Sequence, residues 1–429
     1  MDKFIIQGGI PLNGTITASG NKNAALKILP ACILTEEPVV LHNVPDISDV
    51  RTMIVLLKSL GVEIENIGSG SWRIQAKEIN SHVVDRGLAA QIRASIVLAG
   101  PMLARIGRLE LPPPGGDIIG RRRIDTHILA LTALGAKFDI NGAYTFSTEG
   151  LHGADILLDE ASVTATENAI MAAVLAKGTT IIRNAASEPH IQDLCTFLNI
   201  LGAQIEGISS NVITIHGVER LHSGEFTVGA DYLEVGSFIG AAAVTQGRVR
   251  IKNASPQHLP MIELVFNRIG VHWEVEGQDI IVPEYQPLKV KHDIGNVIPE
   301  IKAQPWPAFP SDLMSIALVI ATQAEGTVLF HEWMYDSRFY FVDKLVYMGA
   351  QVVLCDPHRC LILGPVKLRG EQERISSPDI RAGMALLLAA LCADGTTIIR
   401  NVGQIDRGYE NVEAKLRMLG AKIERADDD

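Results

Sequence analysis

Cys392 to Val402 reads CADGTTIIRNV, and Leu419-Gly420-Ala421 follows a short distance downstream. The stretch opens at the end of an Ala/Leu-rich run, Arg381 to Ala393, that reads as a buried helix. Gly-Thr-Thr breaks that helix, and the β-branched residues after it begin a strand. A polar loop comes next. Tyr409 to Met418 then predicts an amphipathic helix, with Gly420 as its left-handed C-terminal cap. A last strand with apolar alternation closes the unit.

The same text recurs upstream. It stands as LAKGTTIIRNA (Leu175 to Ala185), VTQGRVRIKNA (Val244 to Ala254) and QAEGTVLFHE (Gln323 to Glu332), with a variant LTEEPVVLHNV (Leu34 to Val44). The closing phrase recurs as Leu60-Gly61-Val62, Leu134-Gly135-Ala136, Leu201-Gly202-Ala203, Ile269-Gly270-Val271 and Met348-Gly349-Ala350. Intervals between these glycines run from 67 residues (Gly135 to Gly202) to 79 (Gly270 to Gly349). A steady period means a repeat architecture. It is longer than that of usual solenoids, and six copies predict two three-fold α/β domains rather than an open array. The repeated glycines read as caps and turns, because no GxGxxG follows a strand and no GxxxxGK[ST] is present. Histidines are scattered without HExxH or HxH, so no catalytic metal is expected.

Composition bounds the function classes. A chain of 429 residues is too long for one ordinary core. With 47% hydrophobic and 20% charged residues it reads as a soluble globular protein. A net charge of −11 argues against general nucleic-acid or anionic-membrane partners, so an anion site must be a local basic cluster. The five cysteines, Cys32, Cys195, Cys355, Cys360 and Cys392, form no CxxC pair and lie mostly among apolar neighbours, as expected of reduced thiols in a cytoplasmic protein. MDKFIIQGG has no basic segment followed by an apolar one, so no secretory signal is read. Low-charge runs such as Ala382 to Ala393 are too short to span a bilayer.

Charged residues that break the repeat mark the candidate site. Leu111 to His127 reads LPPPGGDIIGRRRIDTH. Pro112 to Pro114 and Gly115-Gly116 exclude a helix interior or a central strand. Asp117 and then Arg121 to Arg123 suggest a mobile lid over an anionic substrate, against the plainer reading of an exposed loop. Lys22, at a turn-to-helix junction, faces the wrong end of a helix dipole unless an anion is bound there. Arg93 and Arg381 each stand just before an apolar helix, and Arg338 and Arg407 at loop-to-helix junctions. Arginines recurring at such places can converge on one cleft and clamp a phosphate-bearing substrate. Asp312, in Pro310-Ser311-Asp312, sits where a helix cap is expected.

SGNKNAAL near Lys22, IRAS near Arg93, PPGGDIIGRRRIDTH, SVTATEN from Ser162, PAFPSD ending at Asp312, DIRAG from Asp379 and IDRGYE around Arg407 occur in this order over essentially the whole chain. Together they resemble the enolpyruvyl transferase family, in its UDP-N-acetylglucosamine branch. The Ser-Lys-Ser pattern of the shikimate-pathway branch is absent near Lys22. The resemblance implies two inside-out α/β barrel domains, each of three repeated βαβαββ-type units, with a cleft between them. One would comprise residues 22–231 with a catalytic loop at 112–123. The other would comprise residues 1–21 plus 232–429.

It further implies transfer of enolpyruvate from phosphoenolpyruvate to the 3-hydroxyl of UDP-N-acetylglucosamine, with phosphate released, at the opening of peptidoglycan precursor synthesis. No cofactor, nucleic acid or membrane is implied, and a monomer or weak homo-oligomer is expected. By position, Lys22, Arg122 and Arg407 would hold the phosphate and carboxylate of phosphoenolpyruvate, with Arg93 and Arg381 adding positive charge. Asn23, Ile124, Asp125, Ser162, Val163 and Met334 would line the UDP-sugar site, with Arg338 among the binding residues. Asp312 would be the base for the sugar hydroxyl, with Asp379 nearby.

Asp117 stands where most family members carry a cysteine that acts as general acid and is alkylated by fosfomycin. An active, fosfomycin-insensitive enzyme is therefore expected. A carboxylic acid can donate that proton if its surroundings raise its pKa, whereas Arg121 to Arg123 would lower it. Departures at Arg123, Tyr232, Met314 and Phe341 fall partly on the UDP-sugar side. They leave open a paralogue acting on another nucleotide or nucleotide sugar. A non-catalytic nucleotide-sugar-binding scaffold is the third reading.

Overall fold

The computed structural model describes residues 2–116, 123–371, 373 and 375–427. The chain divides into two compact units. One holds the described residues from Gly20 to Gly229, the other Asp2 to Ser19 together with Ala230 to Asp427.

In each unit three apolar helices form the centre and, among the described residues, three sheets lie outside them. The central helices of the Gly20–Gly229 unit are Lys22–Ala31, Ala99–Ile106 and Val163–Ala173. Those of the other unit are Tyr232–Val244, Met314–Gln323 and Ile380–Cys392. Ala-, Gly- and Leu-rich sequences suit this position, because a helix surrounded on all sides must be apolar all round. The third repeat shows the unit most plainly. Strand Asp155–Leu157, helix Val163–Ala173, strand Thr179–Arg183, helix Pro189–Ile200 and strands Gln204–Glu206 and Val212–His216 follow one another as βαβαββ. The first two strands pair in parallel across the buried helix, and the last two add antiparallel.

The repeated glycines close the outer helices. Gly61, Gly135, Gly202, Gly270, Gly349 and Gly420 all have φ between 83° and 104°. In each the glycine amide bonds back three residues and the next amide bonds back five, as in Gly420 N–H to Arg417 O and Ala421 N–H to Leu416 O. This double bond is the Schellman cap, and it turns the chain from helix into strand at the same angle six times. Four asparagines supply a second left-handed turn, each directly after the strand that follows a buried helix. Asn43, Asn184, Asn253 and Asn401 have φ of 53–57°. The amides of Asn43, Asn184 and Asn401 donate to the carbonyls of Val228, Leu158 and Ser377.

The expected helix from Tyr409 is shorter than read. It spans Val412–Met418, after a separate single turn at Gly403–Asp406. Asn411, at φ 46°, resets the chain between them. Gly408 packs so closely that a Cβ there would lie 2.3 Å from Ile380 Cγ2, so the segment follows the buried helix surface instead of coiling freely.

Two strands pair away from their sequence neighbours. Gly14–Thr17 precedes helix Lys22–Ala31 but pairs in parallel with Val249–Lys252. Gly224–Thr227 precedes helix Tyr232–Val244 but pairs in parallel with Val39–His42. The sixth repeat ends one strand short, and Asp2–Gln7 supplies it, inserted antiparallel between Thr396–Arg400 and Lys422–Asp427. Cys32, Cys195 and Cys360 are buried, whereas Cys355 is exposed. Among the described residues no helix is long and apolar enough to cross a membrane.

The caps are testable by substitution. A Cβ at Gly420 meets nothing within 4 Å, so Gly420→Ala adds only the strain of its positive φ. We expect a loss of about 1 kcal/mol, read as a fall of about 2–4 °C in the unfolding midpoint. Gly270→Ala, whose Cβ would fall 2.2 Å from the Lys289 amide, should lose several times more. Equal losses at both sites would refute the distinction.

Candidate active site

The polar residues singled out in the sequence gather at the starts of the buried helices. In the Gly20–Gly229 unit, Asn21 accepts a hydrogen bond from Ala24 N–H and caps the first helix, which makes Lys22 its first residue. Lys22 is buried, and its Nζ lies 2.8 Å from Asp49 Oδ2, itself in the first turn of helix Ser48–Ser59. The protein thus supplies an anion that an N-terminal lysine needs, and Asp49 is a site residue that sequence reasoning missed. Asn23, half-buried, follows on the same turn.

Arg93 opens the 3-10 turn Arg93–Leu98, and its Nη2 donates to the Arg123 carbonyl at 3.2 Å. Arg123 pairs with Asp125, the first residue of helix Asp125–Ala133, and both side chains are half exposed. Ile124 precedes that helix. Ser162 and Val163 begin the third buried helix, and the Ser162 hydroxyl makes no capping bond. Asp117 and Arg122 lie outside the described residues.

Behind these residues lies a buried polar knot. Asn168 accepts from Gly100 N–H and donates to Ile96 O and to His127 Nδ1. A ring nitrogen that accepts there leaves the proton on Nε2, which lies 3.0 Å from the Thr164 hydroxyl. Burial, aided by the charge of Arg93, lowers the His127 pKa to about 3. The ring is therefore neutral, and it ties helix Asp125–Ala133 to Thr164 and Asn168 of helix Val163–Ala173.

In the other unit the structure brings four predicted residues together. Asp312 sits in the 3-10 turn Ser311–Leu313 with its two carboxylate oxygens shared between two arginines. Oδ1 accepts from Arg338 Nη2 at 2.5 Å and Oδ2 from Arg381 Nε at 3.2 Å. Asp312 is not a helix cap, contrary to the expectation from its position. The cap falls at Asp379, whose Oδ1 accepts from Arg381 and Ala382 N–H. The arginine side chains are 3% and 6% exposed while that of Asp312 is 30%, so the carboxylate is the member that faces outward.

Each guanidinium is further braced. Arg338 lies over Tyr335 and donates to Ser311, and Arg381 lies over Tyr409. Burial opposes the charge of both arginines. The Asp312 carboxylate, together with Asp379, Tyr335 and Glu332 at Arg338 and with Tyr409 and Asp231 at Arg381, more than offsets it, and both are held above the usual arginine range. Arg381 Nη1 is buried with no hydrogen-bond partner among the described residues, a state that an arriving anion would relieve.

Glu332, which sequence reasoning passed over, accepts from Ser311 Oγ and from the Met334 amide. Burial raises its pKa against those hydrogen bonds. Met334 is half-buried against the core. Arg407 ends the single turn Gly403–Asp406, and its Nη1 donates to Gln404 Oε1 at 3.0 Å. Among the described residues no cluster suited to a metal ion is present. Three of the departures prove to be core positions. Met314 and Phe341 are fully buried, and Tyr232 is buried with its ring 5.5 Å from that of Trp306.

The family model for EPSP synthase (3-phosphoshikimate 1-carboxyvinyltransferase) matches residues 6–416. The chain is 54% identical over 424 residues to a UDP-N-acetylglucosamine 1-carboxyvinyltransferase of Treponema denticola, covering 99% of each. It is 54% identical to the protein of that name from Bradyrhizobium diazoefficiens, covering 99% of this chain and 98% of the relative. The chain belongs to the carboxyvinyltransferase family. The enolpyruvyl transferase NikO from Streptomyces tendae, at 24% identity, shares the fold of this carboxyvinyltransferase over 100% of this chain and 99% of its own, with a TM-score of 0.88.

A carboxyvinyltransferase handles a carboxylated group, and the cations at the starts of its buried helices suit that task. Helix N-termini carry partial positive charge, and Lys22, Arg93 and Arg381 add full charges there. Lys22→Met would strand Asp49 in a buried place and should cost about 3 kcal/mol. Lys22→Met/Asp49→Asn should recover most of that stability, measured by thermal unfolding, and recover no turnover. His127 gives a pH test. Its folded pKa lies below its unfolded value, so stability is full above about pH 6.5 and is lost as pH falls towards 3. The loss from this ring should reach about 2 kcal/mol by pH 5 and be absent in His127→Gln.

Proposed function

We propose that this chain transfers the enolpyruvyl group of phosphoenolpyruvate to the 3-hydroxyl of UDP-N-acetylglucosamine and releases inorganic phosphate. The reaction would open the synthesis of peptidoglycan precursors. The observation that carries this reading is 54% identity, over nearly the full length of both chains, to enzymes named for that transfer.

The chemistry assigns the residues. The sugar oxygen bonds to C2 of phosphoenolpyruvate while a proton is added to C3, giving a tetrahedral ketal that carries phosphate and carboxylate together. Loss of phosphate, with return of a proton from C3, restores the double bond. Asp312 takes the hydroxyl proton, since its carboxylate is the outward member of the Arg338–Asp312–Arg381 group. Arg381 Nη1 offers a donor to the developing negative charge. Lys22, Arg93, Arg122 and Arg407 supply the remaining cations. Asn23, Ile124, Asp125, Ser162, Val163 and Met334 serve the sugar nucleotide, and Arg338 orients Asp312. Asp379 acts through its cap, which fixes the start of the Arg381 helix.

Asp117 delivers the proton to C3. With no thiol at that position, an epoxide such as fosfomycin lacks the nucleophile it alkylates best, and insensitivity follows.

The test is phosphate release from phosphoenolpyruvate and UDP-N-acetylglucosamine, with the product identified by mass. We expect the enolpyruvyl sugar nucleotide and stoichiometric phosphate. Asp312→Asn and Asp117→Asn should each slow turnover by about 10²–10⁴-fold with sugar-nucleotide binding retained. Asp117→Cys should create fosfomycin sensitivity. Tight binding of the sugar nucleotide without phosphate release would refute the enzyme reading.

A further inference from the structure

Arg425, on the last strand Lys422–Asp427, lies outside the constellation just described, yet it makes the densest set of charged hydrogen bonds near Arg407. Its Nη1 and Nη2 fork the two oxygens of Asp406 at 2.9 and 2.7 Å. Its Nε and Nη2 reach the two oxygens of Glu413 at 2.9 and 3.2 Å. Nη1 also donates to Asp2 at 3.1 Å, and the guanidinium lies 4.8 Å from the centre of the Phe4 ring. Two carboxylates are thus held in fork geometry by one planar group.

Asp406 is the last residue of the single turn Gly403–Asp406, and Arg407 comes next. One helical turn of four residues does not hold itself together. Its direction must come from what anchors it. On the inner side Ile405 and Tyr409 are buried, and Gly408 lies against Ile380. At its start, Val402 N–H bonds to the Asp2 carbonyl. On the outer side the anchor is the Arg425–Asp406 fork.

We propose that Arg425 is a positioning residue that, through Asp406, sets the direction in which Arg407 meets the phosphoenolpyruvate anion. This rests on the assignment of Arg407 to that anion. A lysine at 425 keeps the charge but cannot fork two carboxylates, so geometry is lost while the net charge stays.

The experiment compares Arg425→Lys, Asp406→Asn, their double variant, Arg407→Lys and, as a control of similar stability loss, Gly420→Ala. For each, KM is measured for both substrates, with kcat and the unfolding midpoint. Arg425→Lys and Asp406→Asn should each raise KM for phosphoenolpyruvate about tenfold and leave that for UDP-N-acetylglucosamine within about twofold. The double variant should be no worse than either single one, because both remove the same fork. Gly420→Ala should leave both KM values unchanged.

If Arg407→Lys alone impairs the enzyme, the positioning role is overturned and the assignment of Arg407 stands. If Arg407→Lys leaves KM for phosphoenolpyruvate unchanged, that assignment fails and the proposal fails with it. Equal rises in both KM values, or additive effects in the double variant, would reduce Arg425 to general stabilisation.

Discussion

The close packing of three helices inside each unit sets the terms for everything else. Helices surrounded by other helices and by sheets must approach at distances that most side chains forbid. In the Asp2–Asp427 unit a Cβ at Gly236 would lie 2.9 Å from Leu313, and one at Gly240 would lie 2.9 Å from Ile316. In the other unit a Cβ at Gly100 would lie 2.5 Å from the Asn168 carbonyl. Small residues at these crossings let the helix ends come together. Ser237 on helix Tyr232–Val244, Asp312 beside helix Met314–Gln323 and Arg381 on helix Ile380–Cys392 are linked in this way, with Tyr409 bonded to Ser237 and lying under Arg381.

A second consequence concerns charge. A buried ion is costly unless paired, and these interiors hold several. Lys22 faces Asp49, Asp312 faces two arginines, and Lys415 bonds both Glu234 and Ser19. Each of these pairs stands at a helix start or ties one down. Lys27 and Glu167 differ. They lie 3.6 Å apart near the middle of two buried helices, and neither carboxylate oxygen of Glu167 has a hydrogen-bond partner among the described residues. Burial dominates there and raises the Glu167 pKa to about 8, against the pull of Lys27. Pairing by hydrogen bond is thus concentrated at the helix starts.

These differences decide what could be read from the sequence. The six-fold repeat was legible because each copy spends a glycine on the same Schellman cap, a backbone demand that no other residue meets cheaply. Lys22, Arg93 and Arg381 were legible because a cation before an apolar helix breaks a local pattern. Asp49 was not, since its partner is 27 residues away and nothing local marks it. Asp312 and Asp379 were easily exchanged, because both are acids before buried helices and only tertiary contact shows which one caps. Glu332 did leave a trace. It stands in QAEGTVLFHE where four other copies have the left-handed asparagine, and that exception is the residue that braces Ser311 and the Met334 amide.

Chain topology explains why the outermost residues bear on the site. The described residues from Gly20 to Gly229 form one unit, whose described strands are all present once Gly224–Thr227 is reached. The other unit is interrupted by that stretch and needs both ends of the chain. Its sixth repeat stays a strand short until Asp2–Gln7 pairs with Lys422–Asp427. That closure places Asp2, Phe4, Asp406, Glu413 and Arg425 together, residues that span the chain from position 2 to position 425. The turn that presents Arg407 therefore takes its outer support from a sheet made by joining the two ends. The two terminal strands and the turn before Arg407 are thus joined through one guanidinium, that of Arg425.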